Sequence, residues 1–119
     1  MKISNPIAKL GEEKAAEYLI NRGYKIIERN FRIGYGEIDI IAIRNNTLIF
    51  VEVKTRTSVK FGTPIESITG KKIRILKNTC GFYKSLKTNL PDQMRIDAIS
   101  VLINSGKFEI EHIENIIDF

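Results

Sequence analysis

Residues 36–56, GEIDIIAIRNNTLIFVEVKTR, contain two apolar runs separated by the polar pair Asn45-Asn46. This pattern predicts a β-hairpin with strands over 36–44 and 47–55. Four charged residues interrupt the runs at positions where Val or Ile would be easier to bury: Glu37, Asp39, Glu52 and Lys54. The hairpin is therefore expected to carry a functional site as well as part of the core.

Helices and strands are predicted on both sides of this hairpin. Asn5 and Pro6 suit the cap and first position of a helix that runs to about Asn21 and stops at Gly23. The other predicted elements are a strand over 24–30, a helix from Thr69 to 83 or 86 with a buried stripe of Ile73, Leu76, Cys80 and Tyr83, and strands over 94–103 and 107–113. The order α-β-β-β-α-β-β predicts one α/β domain over 1–119, a mixed sheet flanked by helices.

Composition restricts the class of protein. The single cysteine, Cys80, excludes an internal disulfide and any zinc site built from cysteines. No apolar run approaches the roughly 18 residues of a membrane-spanning helix. The start of the chain, MKISNPIAKLGEE, turns polar too early for a secretory signal. We therefore expect a reduced, cytoplasmic protein that has no membrane partner.

Positive charge is concentrated in one segment. The chain carries a formal net charge of +5, yet residues 54–87 contain nine Lys or Arg against one acid, Glu66. A segment of this kind is typical of a face that binds a polyanion such as nucleic acid. A solvated, lysine-rich surface explains the same composition, and both interpretations stay open at this point.

The hairpin register places the acids relative to one another. If the Asn pair forms the turn, Asp39 lies opposite Glu52 and Glu37 lies opposite Lys54. Opposed Cβ atoms are about 4.5–5.5 Å apart, so two carboxylates would repel unless a cation such as Lys54 or Mg²⁺ lay between them. A β-bulge would shift this register. The alternative is a Glu37–Lys54 ion pair with Asp39 and Glu52 facing water.

A third acid, Glu12, falls on the apolar face of the first predicted helix. Its neighbours three, four and seven residues away are Ala8, Ala15, Ala16 and Leu19. A carboxylate centred on a buried stripe needs a partner. Otherwise it would reach outward to water from the edge of the stripe.

Together these residues resemble a known pattern. Asp39, Glu52 and Lys54 have the form D-x(n)-E-x-K, the core of the PD-(D/E)XK nuclease superfamily. The segments LGEEKAAEYL, GYKIIERNFR, GEIDIIA, LIFVEVKTR and RIDAISV resemble, in the same order, the small bacterial YraN-like proteins, which are similar to archaeal Holliday-junction resolvases. The likeness runs from Leu10 to the last strand. Its one departure is Ile96, where the family more often has an aromatic residue.

The resemblance implies a restriction-endonuclease-like fold and a role for each acid. Asp39 and Glu52 would hold Mg²⁺ or Mn²⁺, helped by the backbone carbonyl of Val53. Lys54 would orient or help to deprotonate the attacking water, and Glu12 would complete the site through water or a second metal. Phosphodiester hydrolysis needs these components, namely an in-line water, a Lewis acid and cations around the developing charge.

Basic residues around this site are candidates for binding DNA. They are Arg32, Arg56, Lys60, Lys71, Lys72, Arg74 and Lys77, with Arg29 in a further family-like segment. Arg56 would alternatively pair with an acid such as Glu37. Asp97 is assigned a structural role before a catalytic one. His112, the only histidine, gives no basis for a triad or a histidine metal site.

These observations favour a Mg²⁺-dependent endonuclease acting on DNA, at branched or otherwise unusual structures. A homodimer would suit a two-stranded substrate. One alternative is a nucleic-acid-binding module that keeps the fold without cutting. Another is a protein-interaction role on the same scaffold, because a fold does not fix a function.

Overall fold

Two helices and five strands follow one another in the predicted order, α-β-β-β-α-β-β. The structure, a computed structural model, describes residues 5–57 and 69–117, so Lys60 lies outside the described residues. The elements are α1 (Pro6–Asn21), β1 (Lys25–Ile33), β2 (Gly36–Arg44), β3 (Thr47–Arg56), α2 (Gly70–Leu86), β4 (Gln93–Asn104) and β5 (Lys107–Ile117). The predicted α/β class and element order are confirmed.

The helices begin where the sequence predicts. The side chain of Asn5 accepts hydrogen bonds from the backbone N–H groups of Ile7 and Ala8, at 3.0 and 3.3 Å. Thr69 accepts one from the N–H of Lys72 at 3.3 Å. Each cap satisfies N–H groups that have no partner inside the helix. Strand β2 has its predicted bounds, whereas the other four strands are longer than predicted, and β1 in particular continues past Asn30 to a two-residue turn.

The five strands form one sheet in chain order, β1-β2-β3-β4-β5. All neighbours are antiparallel except β3 and β4, which are parallel and have α2 between them in the chain. Helix α1 packs through Ala15 and Leu19 on the face that carries Ile49 and Val51. Helix α2 packs on the opposite face, where its predicted stripe of Leu76, Cys80 and Tyr83 meets Leu48 and Phe50. Both helices of the described chain are too short and too polar to cross a membrane.

The predicted hairpin register is correct near the turn and wrong beyond it. Asn45 and Asn46 have φ values of 49° and 57°, as a type I′ turn requires. Strands β2 and β3 then pair from Arg44–Thr47 to Ile40–Val51. Past the Ile40–Val51 pair the two strands no longer pair with each other. Residues 36–38 pair only with β1, and residues 52–56 pair only with β4. The two strands diverge into a fork, so the predicted Asp39–Glu52 and Glu37–Lys54 ladder pairs do not form.

The fork coincides with a break in strand alternation at Asp39. Ile40 packs on the α1 side of the sheet, and Ile41 packs on the α2 side, as period two requires. Ile38 also packs on the α2 side, although unbroken alternation would place it with Ile40. Across the sheet on β1, Asn30 has a left-handed φ of 53°. This irregular backbone turns Asp39 into the gap between the diverging strands.

Candidate active site

A cavity of about 370 Å³ lies at the fork between β2 and β3. Residues from both helices and both strands line it, because the gap connects the two faces of the sheet. Its charged lining residues are Glu12, Glu37, Asp39, Glu52, Lys54 and Lys72. All four residues predicted to be catalytic, namely Glu12, Asp39, Glu52 and Lys54, therefore line one cavity. Glu37 and Lys72 line the same cavity.

Asp39 is fixed by a hydrogen bond across the fork. Its Oδ2 accepts from the backbone N–H of Val53 at 2.8 Å, which takes the place of the predicted pairing with Glu52. Burial raises the pKa of Asp39 to about 7, and the negative charges of three neighbouring carboxylates add to this effect. These neighbours are, in decreasing order of influence, Glu52, Glu12 and Glu37. The cavity thus concentrates negative charge that its own lysines only partly offset.

The raised pKa of Asp39 gives a stability prediction for the metal-free protein. The folded chain holds this proton up to about pH 7, whereas the unfolded chain releases it near 3.8. Stability from this group is therefore greatest at low pH and is lost as pH rises from about 4 through 7, by roughly 4 kcal/mol at most. Asp39→Asn should unfold at higher urea concentration than wild type at about pH 8 in EDTA, with a smaller gap near pH 5.

The control for this measurement is Asp92→Asn, because Asp92 is a fully exposed aspartate of the same chain. It should leave the urea midpoint unchanged at both pH values. An Asp39→Asn effect that is equal at both pH values would show that the wild-type carboxylate does not carry the burial penalty.

Two lysines share the carboxylate of Glu52. The Nζ of Lys54 lies 3.3 Å from Glu52 Oε1, and the Nζ of Lys72 lies 4.0 Å from the same oxygen. Burial opposes the charged form of Lys54, but hydrogen bonding to Lys72 and the charge of Glu52 outweigh it and raise the pKa of Lys54. The hydrogen bond to Lys54, together with burial, lowers the pKa of Lys72. The cavity therefore stabilises the charged form of Lys54 and disfavours that of Lys72.

Glu12 reaches the cavity because α1 lies unusually close to β3. A Cβ atom on Gly11 would overlap the side chain of Thr55, so only glycine permits this approach. The next residue, Glu12, is partly buried at the cavity wall and raises the pKa of Asp39. Glu12 therefore does not simply point outward into water, which was the alternative expected from the sequence.

The donor set of the cavity fits a hard divalent cation. Among residues 5–57 and 69–117, no three His, Cys, Asp or Glu side chains are grouped closely enough to hold a metal ion by themselves. Mg²⁺ does not need three, since it is usually bound by one or two carboxylates and keeps several waters. Asp39 and Glu52 supply two carboxylates at the fork, and a bound cation would offset the repulsion from Glu52 that, after burial, raises the pKa of Asp39. Val53, the predicted carbonyl donor, also lines the cavity.

Within the described residues, the basic residues predicted to bind DNA fall into three groups. Lys71, Lys72 and Arg74 are exposed in the first turns of α2. Lys77 and Arg56 are half-buried. Two arginines of β1 hold acids instead: Arg32 pairs with Glu37 at 3.2 Å, and Arg29 pairs with Glu13 at 2.9 Å. Arg32 therefore forms the ion pair that the sequence suggested for Arg56.

Asp97 lies in a separate buried network on β4 and β5. Its carboxylate accepts two hydrogen bonds from Arg95, at 2.8 and 3.0 Å, and one from the backbone N–H of Asn115 at 2.9 Å. His112 Nε2 lies 2.8 Å from the same carboxylate, and His112 Nδ1 lies 3.2 Å from the hydroxyl of Tyr18 on α1. None of these residues lines the cavity. This position agrees with the structural role expected for Asp97.

Sequence reasoning missed two features of the cavity. Lys72 was predicted only as a contact to phosphate, and its place beside Glu52 had no sequence signal, because it depends on how α2 docks. Tyr35 lines the cavity and was not considered. Its position between Gly34 and Gly36 was the available signal, because an aromatic residue between two glycines is typical of an exposed turn.

The sequence that forms this cavity is similar to a family of known proteins. The model of the family described as "Uncharacterised protein family UPF0102" matches residues 11–101, a range that includes all four predicted catalytic residues. The chain belongs to the UPF0102 family. A UPF0102 protein of Persephonella marina is 47% identical over 110 residues, covering 92% of this chain and 91% of that protein. A UPF0102 protein of Syntrophomonas wolfei is 44% identical over 105 residues, covering 88% and 91%. The YraN-like likeness of the sequence is thereby confirmed at the level of the family.

Proposed function

We propose that this UPF0102 protein is an endonuclease that hydrolyses DNA phosphodiesters with Mg²⁺ or Mn²⁺ as its cofactor. The proposal places its sheet among the restriction-endonuclease-like folds of the PD-(D/E)XK superfamily, with branched DNA as substrate, as in Holliday-junction resolvases. The observation that carries it is the meeting of Asp39, Glu52 and Lys54 in one cavity at the strand fork. The exposed basic start of α2 adjoins the same cavity through Lys72.

Each residue of the cavity has a role in this proposal. Asp39, positioned by the N–H of Val53, and Glu52 would hold the cation, with the Val53 carbonyl as a further donor. When bound, Mg²⁺ supplies a Lewis acid for the phosphate. Lys54 orients the attacking water and offsets negative charge that develops on the phosphate. Glu12 holds water on the α1 side of the site.

The basic residues would bind the DNA backbone outside the cavity. Lys71 and Arg74 are exposed on α2, and Lys77 and Arg56 are half-buried. Contacts of this kind give salt-dependent affinity with little reading of sequence. A homodimer would present two such cavities to a two-stranded substrate.

A second candidate is a nucleic-acid-binding module that does not cut. It is favoured by the exposed Lys71, Lys72 and Arg74, which would bind phosphate whether or not the cavity holds a metal. The two candidates make the same prediction for salt dependence. They differ only in metal binding and cleavage.

The deciding experiment is a calorimetric titration with Mg²⁺ and with Mn²⁺ in the presence of DNA that carries a non-cleavable phosphate analogue. Wild type should bind metal, and Asp39→Asn and Glu52→Gln should each lose binding. Glu17→Gln, which removes an exposed glutamate of α1 paired with Lys14, is the matched control and should bind as wild type does. Metal-dependent cleavage of branched DNA by wild type alone would then support the endonuclease.

Two other outcomes would replace this proposal. Salt-dependent DNA binding without metal binding or cleavage would favour the binding module. Absence of DNA binding at low salt would instead favour a protein-interaction role.

A further inference from the structure

Tyr35 differs from every other tyrosine of the chain in its exposure. Its side chain is fully accessible to water, whereas Tyr24 and Tyr83 are buried and Tyr18 is half-buried. Burying an aromatic ring is among the largest gains available in folding, and Tyr35 makes no use of it. Tyr35 is nevertheless one of the residues that line the cavity holding Asp39 and Glu52. The ring therefore has a face available for a molecule bound at this site.

The position of Tyr35 is set by packing on both sides of its turn. Gly34 has a φ of 56° at the first central position of the β1–β2 turn, as type II′ hairpin turns require. The strands close immediately behind the turn at the Ile33–Gly36 pair. A Cβ on Gly36 would overlap the side chain of Thr79, so this end of the hairpin is seated closely against α2. Tyr35 is thus held at the rim of the cavity by the fold.

The cavity that Tyr35 lines holds ammonium groups as well as carboxylates. Lys72 lines the same cavity, and Lys71 is exposed beside it in the first turn of α2. An aromatic ring next to ammonium groups suits a ligand that has both a flat π-face and a phosphate, which is the chemistry of a nucleotide unit. In a duplex the faces of each base are covered by its neighbours in the stack. Away from the ends of a duplex, only an unpaired base can present its face to a side chain.

We infer that Tyr35 is a stacking platform for an unpaired nucleobase next to the phosphate held at the cavity. This inference rests on the proposed function and makes it more specific. The substrate class becomes DNA with a single-stranded segment at the site, as at a flap, a gap or the centre of a branch. Continuous duplex DNA would bind only through its backbone.

The chain contains no tryptophan, which allows a direct measurement of stacking. Tyr35→Trp introduces a single indole, whose fluorescence is quenched when a base stacks on it. The probe is single-stranded oligothymidylate of about 12 nucleotides, a length within the range that one binding fold covers. The titration is done in EDTA so that no cleavage takes place. We expect saturable quenching with this probe and little with a blunt duplex.

The control is Phe108→Trp, which places the indole at a second aromatic position on β5, 36% exposed and with Lys14 over the ring. It should show no quenching, because general binding to the basic surface does not cover that ring. Equal quenching at both positions would overturn the inference. Absence of quenching at position 35 at low salt would also overturn it and would leave Tyr35 as a contact for a protein partner.

Affinity measurements give an independent test. Tyr35→Ala should weaken binding of the single strand by about 5- to 100-fold, the loss typical of one stacked base, and leave binding of the blunt duplex unchanged. Tyr35→Phe retains the ring and should bind as wild type does. Equal weakening on both probes, or none on either, would contradict the inference. Tyr35 lies on an exposed turn, so neither substitution threatens folding.

These results are separable from the test of the proposed function. Stacking is measured without metal and without cleavage. If the Asp39→Asn and Glu52→Gln titrations show no metal site but the indole is quenched, the nuclease proposal fails and the stacking platform stands. If metal binds and DNA is cut but the indole is not quenched, the nuclease proposal stands and the stacking platform fails.

Discussion

Replacing Lys54 by Met is expected to lower the rate of DNA cleavage by about 10²- to 10⁴-fold, the range seen when a group that acts on the transition state is removed. The Nζ of Lys54 lies 3.3 Å from Glu52, closer than the Nζ of Lys72 at 4.0 Å, and the raised pKa of Lys54 shows that its charged form is stabilised there. Met keeps most of the length and the apolar stem of Lys but carries no charge. Single-turnover cleavage of end-labelled branched DNA at saturating Mg²⁺ measures the loss.

Two lysine variants provide controls for this prediction. Lys72→Met removes the ammonium that is 4.0 Å from Glu52 and about half exposed, and its cost should be smaller, about tenfold. Lys107→Met changes an exposed lysine of β5 and should cut as wild type does. Metal affinity should not fall in Lys54→Met, because Lys54 competes with a cation for Glu52. A parallel fall in metal affinity and rate would show that Lys54 organises the acids and does not act on the reacting groups.

Asp97→Asn is expected to lower the free energy of unfolding by about 3–5 kcal/mol, although the two side chains have nearly the same shape. The carboxylate is fully buried and accepts from Arg95, His112 and Asn115. An amide nitrogen in place of one oxygen would face these donors, and the partly exposed Arg95 would keep only Glu114, at 3.1 Å, as a charged partner. Urea unfolding near pH 7 gives the change, with the exposed Asp92→Asn as the neutral control.

The pH dependence of this effect distinguishes an ion pair from simple packing. Burial alone would raise the pKa of Asp97, but hydrogen bonds from His112, Arg95 and the Asn115 backbone outweigh it and hold the pKa below the ordinary 3.8. Its stabilisation is therefore present above about pH 4 and is lost as pH falls further. The difference between wild type and Asp97→Asn should shrink below that pH.

A second variant keeps the Asp97 prediction testable if Asp97→Asn does not fold. Tyr18→Phe removes only the hydroxyl that lies 3.2 Å from His112 and should cost about 0.5–1.5 kcal/mol. Folded Tyr18→Phe should cleave at the wild-type rate, because the network does not line the cavity. Loss of cleavage without loss of stability would show that this network has a catalytic role and not only a structural one.

Local interactions explain why much of the hairpin could be predicted. The turn at Asn45 and Asn46 follows from their tolerance of positive φ, and the register near it follows from the turn type and from period-two alternation. The starts of both helices follow from caps within three residues of the N–H groups that they satisfy. Glu12 was found in the same way, because an acid on an apolar helix stripe is visible from spacing alone.

The fork itself could not be predicted, because it depends on competition among strands. Residues on either side of Asp39 and Glu52 pair with β1 and β4, whose positions are known only after the sheet is assembled. The same holds for Asp97, whose partners lie up to 18 residues away in the chain. Pairing between distant segments is set by the packing of the whole domain, which no local pattern records.

The sequence by itself determined the α/β class, the hairpin turn and four of the six charged residues that meet in the cavity, namely Glu12, Asp39, Glu52 and Lys54. The tertiary structure decided how they meet. It opened the strands at Asp39, brought Lys72 of α2 to Glu52 and placed Tyr35 at the rim. The physical reason is that composition and period fix which side chains face inward on each element, whereas close approaches such as Gly11 on Thr55 and Gly36 on Thr79 fix where the elements lie.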